Sequence, residues 1–305
     1  MSSTPHPGRL LPGSPSALVD PAALGVELAS ARPPLLLDVR WTLAGPDPAA
    51  HRAGHLPGAV FVDLDAELAA PPGDGGRHPL PSSQALTALL RRVGAGTDRS
   101  VVVYDAGGSS PLAAARAWWC LRYAGHHEVR VLDGGLAGWK RTGRAVEVGD
   151  VPAVPDHAAL ARPGGMPVIE VEDVAAGAVR LLDVRAPERF SGRSEPIDPV
   201  AGHVPGALNL PVTDLLDPAG RVLPAADVRA AVERVLTVTD AGDGESPDGQ
   251  PLAPPARPLA ASCGSGLTAA VAVLALHEAG LQVALWPGSW SQWVRDPARA
   301  VATGA

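Results

Sequence analysis

Two residue types at close spacing give this chain a place to do chemistry. Cys263 stands in "ASCGSGLTAA" (261–270), between a short apolar run and a stretch that reads as a helix. Gly264, Ser265 and Gly266 are small enough for the backbone to curl with its N–H groups pointing inward, and Leu267 and Thr268 then open the helix. Inward N–H groups at a helix N-terminus stabilise negative charge on sulfur, and the thiolate is the reactive form of cysteine. A cysteine so placed is a nucleophile for covalent, two-step catalysis. The Ser265 hydroxyl, two residues further on, can donate to a leaving group or shuttle a proton.

Other chemistries fit less well. Neither Cys120 nor Cys263 has the CxxC or Cys/His spacing of a zinc site, and the pair His126–His127 has no ligand partners in the sequence, so no metal and no cofactor are expected. Cys120, inside the apolar helical run "RAWWCLRYAG", reads as packing. A cysteine phosphatase would need Cys-x5-Arg to grip phosphate, and position 269 is alanine. A net charge of −7 with no basic run argues against nucleic acid as a partner. No stretch approaches 18 consecutive apolar residues, and the first residues lack an apolar signal region, so the expected setting is the cytoplasm, with no membrane contact. Both cysteines are expected there as thiols.

The elements that must hold Cys263 emerge from an internal repeat. "LLDVR" occurs at 36–40 and 181–185, "GHLPGA" at 54–59 is answered by "GHVPGA" at 202–207, and "LDGGLAGW" at 132–139 is answered by "WPGSWSQW" at 286–293. In each half an apolar strand (35–39; 181–184) ends in Asp-x-Arg, and a Gly-His-x-Pro-Gly turn leads to a second strand (60–62; 208–210). A helix (82–92; 225–236), an apolar strand (101–104; 258–262), a long helix (111–124; 268–279), another strand (129–132; 282–285) and a closing helix near the tryptophan follow. Short apolar strands alternating with helices predict an α/β fold of two tandem domains, each a parallel sheet covered by helices on both faces. The domains are expected at 16–145 and 168–305, joined by a proline-rich linker at 146–167. An acidic, Gly/Pro-rich insertion at 239–257 precedes the strand that leads to Cys263. In the first half, Asp105 of "VVVYDAGGSSP" stands where the second half has Cys263, so only the second half is equipped with a sulfur nucleophile.

The doubled LDVR and GH-x-PGA motifs, the two Trp-containing endings and the CGSGLT loop, in that order, resemble the two-domain rhodanese family of sulfurtransferases. The resemblance runs from about residue 16 to 304. It implies that Cys263 takes sulfur from a small anionic donor as a persulfide and passes it to a thiol, including a thioredoxin-like one, or to cyanide. The loop is most similar to that of 3-mercaptopyruvate sulfurtransferases, because thiosulfate-preferring members carry basic residues beside the cysteine. The alternatives are a thiosulfate:cyanide sulfurtransferase and a persulfide carrier to a protein acceptor. The resemblance further implies that Arg189 holds the anionic end of the donor, with Gly264, Gly266, Leu267 and Thr268 around it. It also implies that His55 assists Ser265 from the first domain and that Trp41 walls the cleft. Ile197 stands where mercaptopyruvate-preferring enzymes often have a second arginine, after "EP". Arg185 is expected to pair with Asp183.

Overall fold

A computed structural model describes residues 16–96, 99–240 and 257–304. The described chain divides into two compact units. The first comprises residues 16–167 together with Leu216–Val222, and the second comprises Val168–Leu215 and residues 223–304.

In the first unit the order is β1 (Leu18–Val19), α1 (Pro21–Leu28), β2 (Leu35–Asp38), β3 (Trp41–Thr42), β4 (Gly45–Pro46), α2 (Pro48–Ala53), β5 (Val60–Phe61), α3 (Leu64–Glu67), α4 (Ser83–Val93), β6 (Val101–Tyr104), α5 (Leu112–Tyr123), β7 (Val129–Leu132) and α6 (Gly135–Arg141). The sheet order is β1-β7-β6-β2-β5, all pairs parallel, with β3 and β4 forming a small antiparallel hairpin beside it. Strands β2 and β6 are buried at every position, as a parallel sheet requires when helices cover it.

Local rules set the helix ends. The Ser82 hydroxyl caps α4 by accepting the Ala85 N–H, Leu86, Leu89, Leu90 and Val93 form its buried face, and Gly94 closes it in the left-handed conformation. Asp20 caps α1, with Pro21 at its first position. The sequence reading does not foresee β1, α1 or the β3–β4 hairpin, because strands of two residues carry no periodicity.

The second unit repeats the plan more briefly: α7 (Val171–Ala175), β8 (Arg180–Asp183), α8 (Pro187–Phe190), β9 (Leu208–Asn209), a 3-10 turn (Val212–Leu215), α9 (Ala225–Asp240), β10 (Leu259–Ser262), α10 (Leu267–Glu278), β11 (Ala284–Leu285) and α11 (Ser289–Trp293). Its sheet order is β11-β10-β8-β9, again parallel throughout. Helix α10 is buried along nearly its whole length and apolar all round, so it lies in the core rather than on it. Trp286, Trp290 and Trp293 join Phe190, Leu181 and Val204 in one cluster under the sheet.

Segment 146–167 forms no helix and runs along the first unit, where Arg91 Nε donates to the Ala159 carbonyl and the Arg162 N–H to that of Ala124. Of the insertion expected at 239–257, residues 241–256 lie outside the described residues.

The repeated Asp-x-Arg and Gly-His-x-Pro-Gly motifs have one physical role in both units. Asp38 and Asp183, each at a strand end, hold Arg40 and Arg185, and each arginine then reaches the glycine carbonyl before the histidine: Arg40 Nη2 donates to Gly54 O at 2.8 Å and Arg185 Nη2 to Gly202 O at 2.7 Å. The charge pairs are buried, so removing one partner would leave an uncompensated charge. Each staple fixes the turn that starts the second strand against the end of the first.

Candidate active site

Cys263 follows β10 directly, at the carboxyl end of a parallel strand, where α/β folds place their ligands. Its Sγ accepts the Gly266 N–H at 3.1 Å. Gly266 caps α10 with φ +81°, and a Cβ there would run into the Pro287 carbonyl, so no other residue fits without shifting the chain. Leu267 and Thr268 are the first two residues of α10, which directs its N-terminus at the sulfur. The structure thus brings Cys263, Gly264, Ser265, Gly266, Leu267 and Thr268 into one closed loop. Only Thr268 of the six is more than marginally exposed.

The loop is held from outside by α11. The Trp290 N–H donates to the Cys263 carbonyl at 3.0 Å and the Ser291 N–H to the Gly264 carbonyl at 2.9 Å. With both carbonyls turned toward α11, the N–H groups of Gly264 and Ser265, on the opposite side of each peptide plane, face away from that helix. The Cys263 N–H is taken by Ser289 Oγ at 3.1 Å. Ser289 and Trp290 are site residues that reading the sequence misses. The only signal was their place in the second Trp-containing repeat.

Arg189 lies on α8, after β8, the strand that neighbours β10. Its guanidinium is already engaged: Nε and Nη2 contact Glu195 at 2.7–3.1 Å, and Nη2 contacts Asp198 at 3.1 Å. Burial pushes the Glu195 carboxyl up, but the Arg189 hydrogen bond, the N–H groups of Asp198 and Ile197 and the Arg189 charge together bring it below the usual range. Where the sequence reading notes Ile197, the residue beside it, Asp198, is the one that matters, because it adds a carboxylate against Arg189. Arg185 pairs with Asp183 as expected, reaches Glu195 at 3.4 Å and lies 4.8 Å over the Trp290 ring, which links this charged cluster to the helix that holds the loop.

The remaining two candidates lie in the first unit. Trp41 donates its Nε1 to Asp65 at 2.8 Å and meets His78 edge-on. His55 is fully buried, stacked on His51 at 4.2 Å, with Nδ1 on the His51 carbonyl at 3.0 Å and Nε2 3.9 Å from Glu147. His203, its repeat counterpart, is also buried and also sets Nδ1 on a backbone carbonyl, that of Phe190, at 2.8 Å. Both histidines exchange backbone hydrogen bonds with a segment downstream, His55 with Glu147 and His203 with Ala302. The ring partners differ: His55 stacks on His51 and His203 on Phe190, at 3.7 Å. In both units the motif histidine is thus packed into its turn.

Among the described residues no group of three or more His, Cys, Asp or Glu side chains could hold a metal ion. Cys120 is buried, and burial raises its thiol.

The rhodanese-like domain model matches twice, over residues 22–142 and 171–296. SseB of Mycobacterium tuberculosis, whose name assigns it thiosulfate, is 41% identical over 94% of this chain and 97% of its own. A Pseudomonas aeruginosa protein whose name assigns it 3-mercaptopyruvate is 40% identical over 88% of this chain and 92% of its own. The solved structure of the Escherichia coli 3-mercaptopyruvate sulfurtransferase SseA superposes with a TM-score of 0.71 and 31% identity, covering 91% of this chain and all of that one. A twice-matched domain and full-length relatives place the chain in the rhodanese family, as a tandem-domain sulfurtransferase.

Proposed function

We propose that this sulfurtransferase takes its sulfur from 3-mercaptopyruvate. The observation that carries the reading is the Cys263 loop, a cradle of small residues with no basic side chain beside the cysteine in sequence, whose Gly266 N–H donates to the sulfur. The Cys263 thiolate attacks the donor sulfur, the carbon–sulfur bond breaks, and its electrons leave on pyruvate, which takes up a proton. Ser265 is assigned the delivery of that proton. The persulfide then gives its outer sulfur to an acceptor: cyanide leaves as thiocyanate, or a thiol, including that of a thioredoxin-like protein, becomes a persulfide and regenerates Cys263. Arg189 is assigned the donor carboxylate, which must draw it from Glu195 and Asp198. Trp41 is assigned a wall of the donor site. His55 is assigned, beside the stability of its turn, the catalytic part that the family resemblance implies. The setting proposed is the cytoplasm; among the described residues no helix is long and apolar enough to cross a membrane.

Thiosulfate is the second reading, favoured by the name of the M. tuberculosis relative. The deciding experiment is kcat/KM for each donor with cyanide as acceptor, on the wild type and on Cys263→Ser. A preference for mercaptopyruvate of about tenfold, some 1.4 kcal/mol in the transition state, supports the first reading. The reverse preference replaces the donor and keeps the nucleophile. Loss of small-molecule turnover with retained persulfide on Cys263 makes the protein a carrier.

A further inference from the structure

Ser289 is the one non-glycine residue with positive φ, +51°, among the described residues. That region costs an L side chain free energy that glycine avoids. The internal repeat shows that the turn itself does not need a side chain. Position 135 is the counterpart of 289 in the first unit, and it is glycine with φ +56°. The surrounding frame is the same: the Leu136 N–H donates to the Asp105 carbonyl and the Ala137 N–H to that of Ala106, both at 2.9 Å, as Trp290 and Ser291 do to Cys263 and Gly264.

The two positions differ in the room they leave. A Cβ on Gly135 would come to 2.7 Å from the Asp105 carbonyl and 2.8 Å from the Gly107 N–H nitrogen, so the loop of the first unit closes directly on its glycine. In the second unit the space is filled by the wholly buried Ser289 side chain. Its hydroxyl donates to the Trp286 carbonyl at 2.9 Å and accepts the Cys263 N–H at 3.1 Å. Among these units, the strained serine occurs where the loop carries a nucleophile, and the unstrained glycine where it carries Asp105.

We infer that Ser289 is a positioning residue for sulfur transfer: its hydroxyl ties the Cys263 backbone to the end of β11 and so holds Sγ against the Gly266 N–H. The inference rests on the reading of Cys263 as the nucleophile. With the hydroxyl gone, the buried Cys263 N–H has lost its acceptor, and a buried donor without a partner forces the backbone to move. The atom attached to that backbone is the reacting one.

The test is Ser289→Gly in the full chain, with Ser289→Ala beside it, reading thermal stability, kcat and KM for sulfur transfer to cyanide, and the rate at which iodoacetamide labels Cys263, located by peptide mapping. Glycine suits the φ value, so Ser289→Gly is expected to melt within about 3 °C of the wild type. Its kcat is expected to fall about tenfold with KM nearly unchanged, and labelling of Cys263 to slow about fivefold. Ser289→Ala keeps the strain without the hydroxyl and is expected to lose both activity and stability. Wild-type kcat and labelling in Ser289→Gly would overturn the inference, as would a loss of activity matched by a loss of folded protein. Should the wild type transfer no sulfur, the functional reading falls, and the labelling rates still decide whether Ser289 places the sulfur.

Discussion

Cys263 in the second unit and Asp105 in the first occupy the same place, one residue past a parallel strand and ahead of a long buried helix. The thiol in the second unit accepts one N–H, from Gly266. The carboxylate in the first accepts two, from Gly107 at 3.1 Å and Ala114 at 3.3 Å, and so fills its own cradle. Around both, the Asp-x-Arg staple, the buried histidine and the N–H groups of the closing helix are arranged alike. The comparison teaches which parts of the family's pattern build the frame and which equip it. A motif present in both units holds the fold, and a residue present only in the second is a candidate for the chemistry.

The strongest test of that division is Cys263→Ser, which is expected to reduce sulfur transfer by more than about a thousandfold while leaving the melting temperature close to that of the wild type. Asp105→Cys in the same background should not restore it, because the first unit has no Ser265 or Ser289 counterpart; recovered turnover there would break the comparison. Ser265→Ala is expected to cost about a hundredfold in kcat for the mercaptopyruvate reaction if it relays the leaving-group proton. An unchanged kcat would return Ser265 to the backbone cradle alone.

The frame can be broken separately. Gly135→Ala places a Cβ against Asp105 and Gly107 in a left-handed residue, and should destabilise the first unit by about 2–4 kcal/mol, seen in chemical denaturation. A milder effect attaches to Asp105. Burial pushes its carboxyl up to about 6 from 3.8, against the N–H groups of Ala114 and Gly107, which pull it down. The folded state therefore holds this proton more tightly than the unfolded chain does. The resulting cost is absent below about pH 4, grows as pH rises and is complete above about pH 6. Asp105→Asn removes that dependence, so its melting temperature relative to the wild type should be higher at pH 7.5 than at pH 4.5 by a few degrees. Parallel curves for the two proteins would show that Asp105 is not ionised under strain.

Much of this was legible in the residues alone. The repeated LDVR, GH-x-PGA and Trp-containing segments set out two parallel α/β units, because apolar strands of four residues between amphipathic or apolar helices leave few other arrangements. The Cys/Asp difference at 263 and 105 singled out the second half as the candidate for the chemistry. Three things were not legible, each because it depends on how the chain packs and not on the type or spacing of a residue. How the His55 turn is held depends on a ring packed on His51 and a bridge to Glu147, 92 residues on. That Arg189 is shared between Glu195 and Asp198 depends on how the chain after α8 folds back over it. That Ser289 holds Cys263 depends on a positive φ and a hydrogen bond across 26 residues. The sequence by itself determined the frame and singled out the nucleophile proposed for it, since periodicity, turns and the type of one side chain are local properties. Tertiary structure alone decided how that nucleophile is held, since hydrogen bonds between separate segments exist only once the chain has packed.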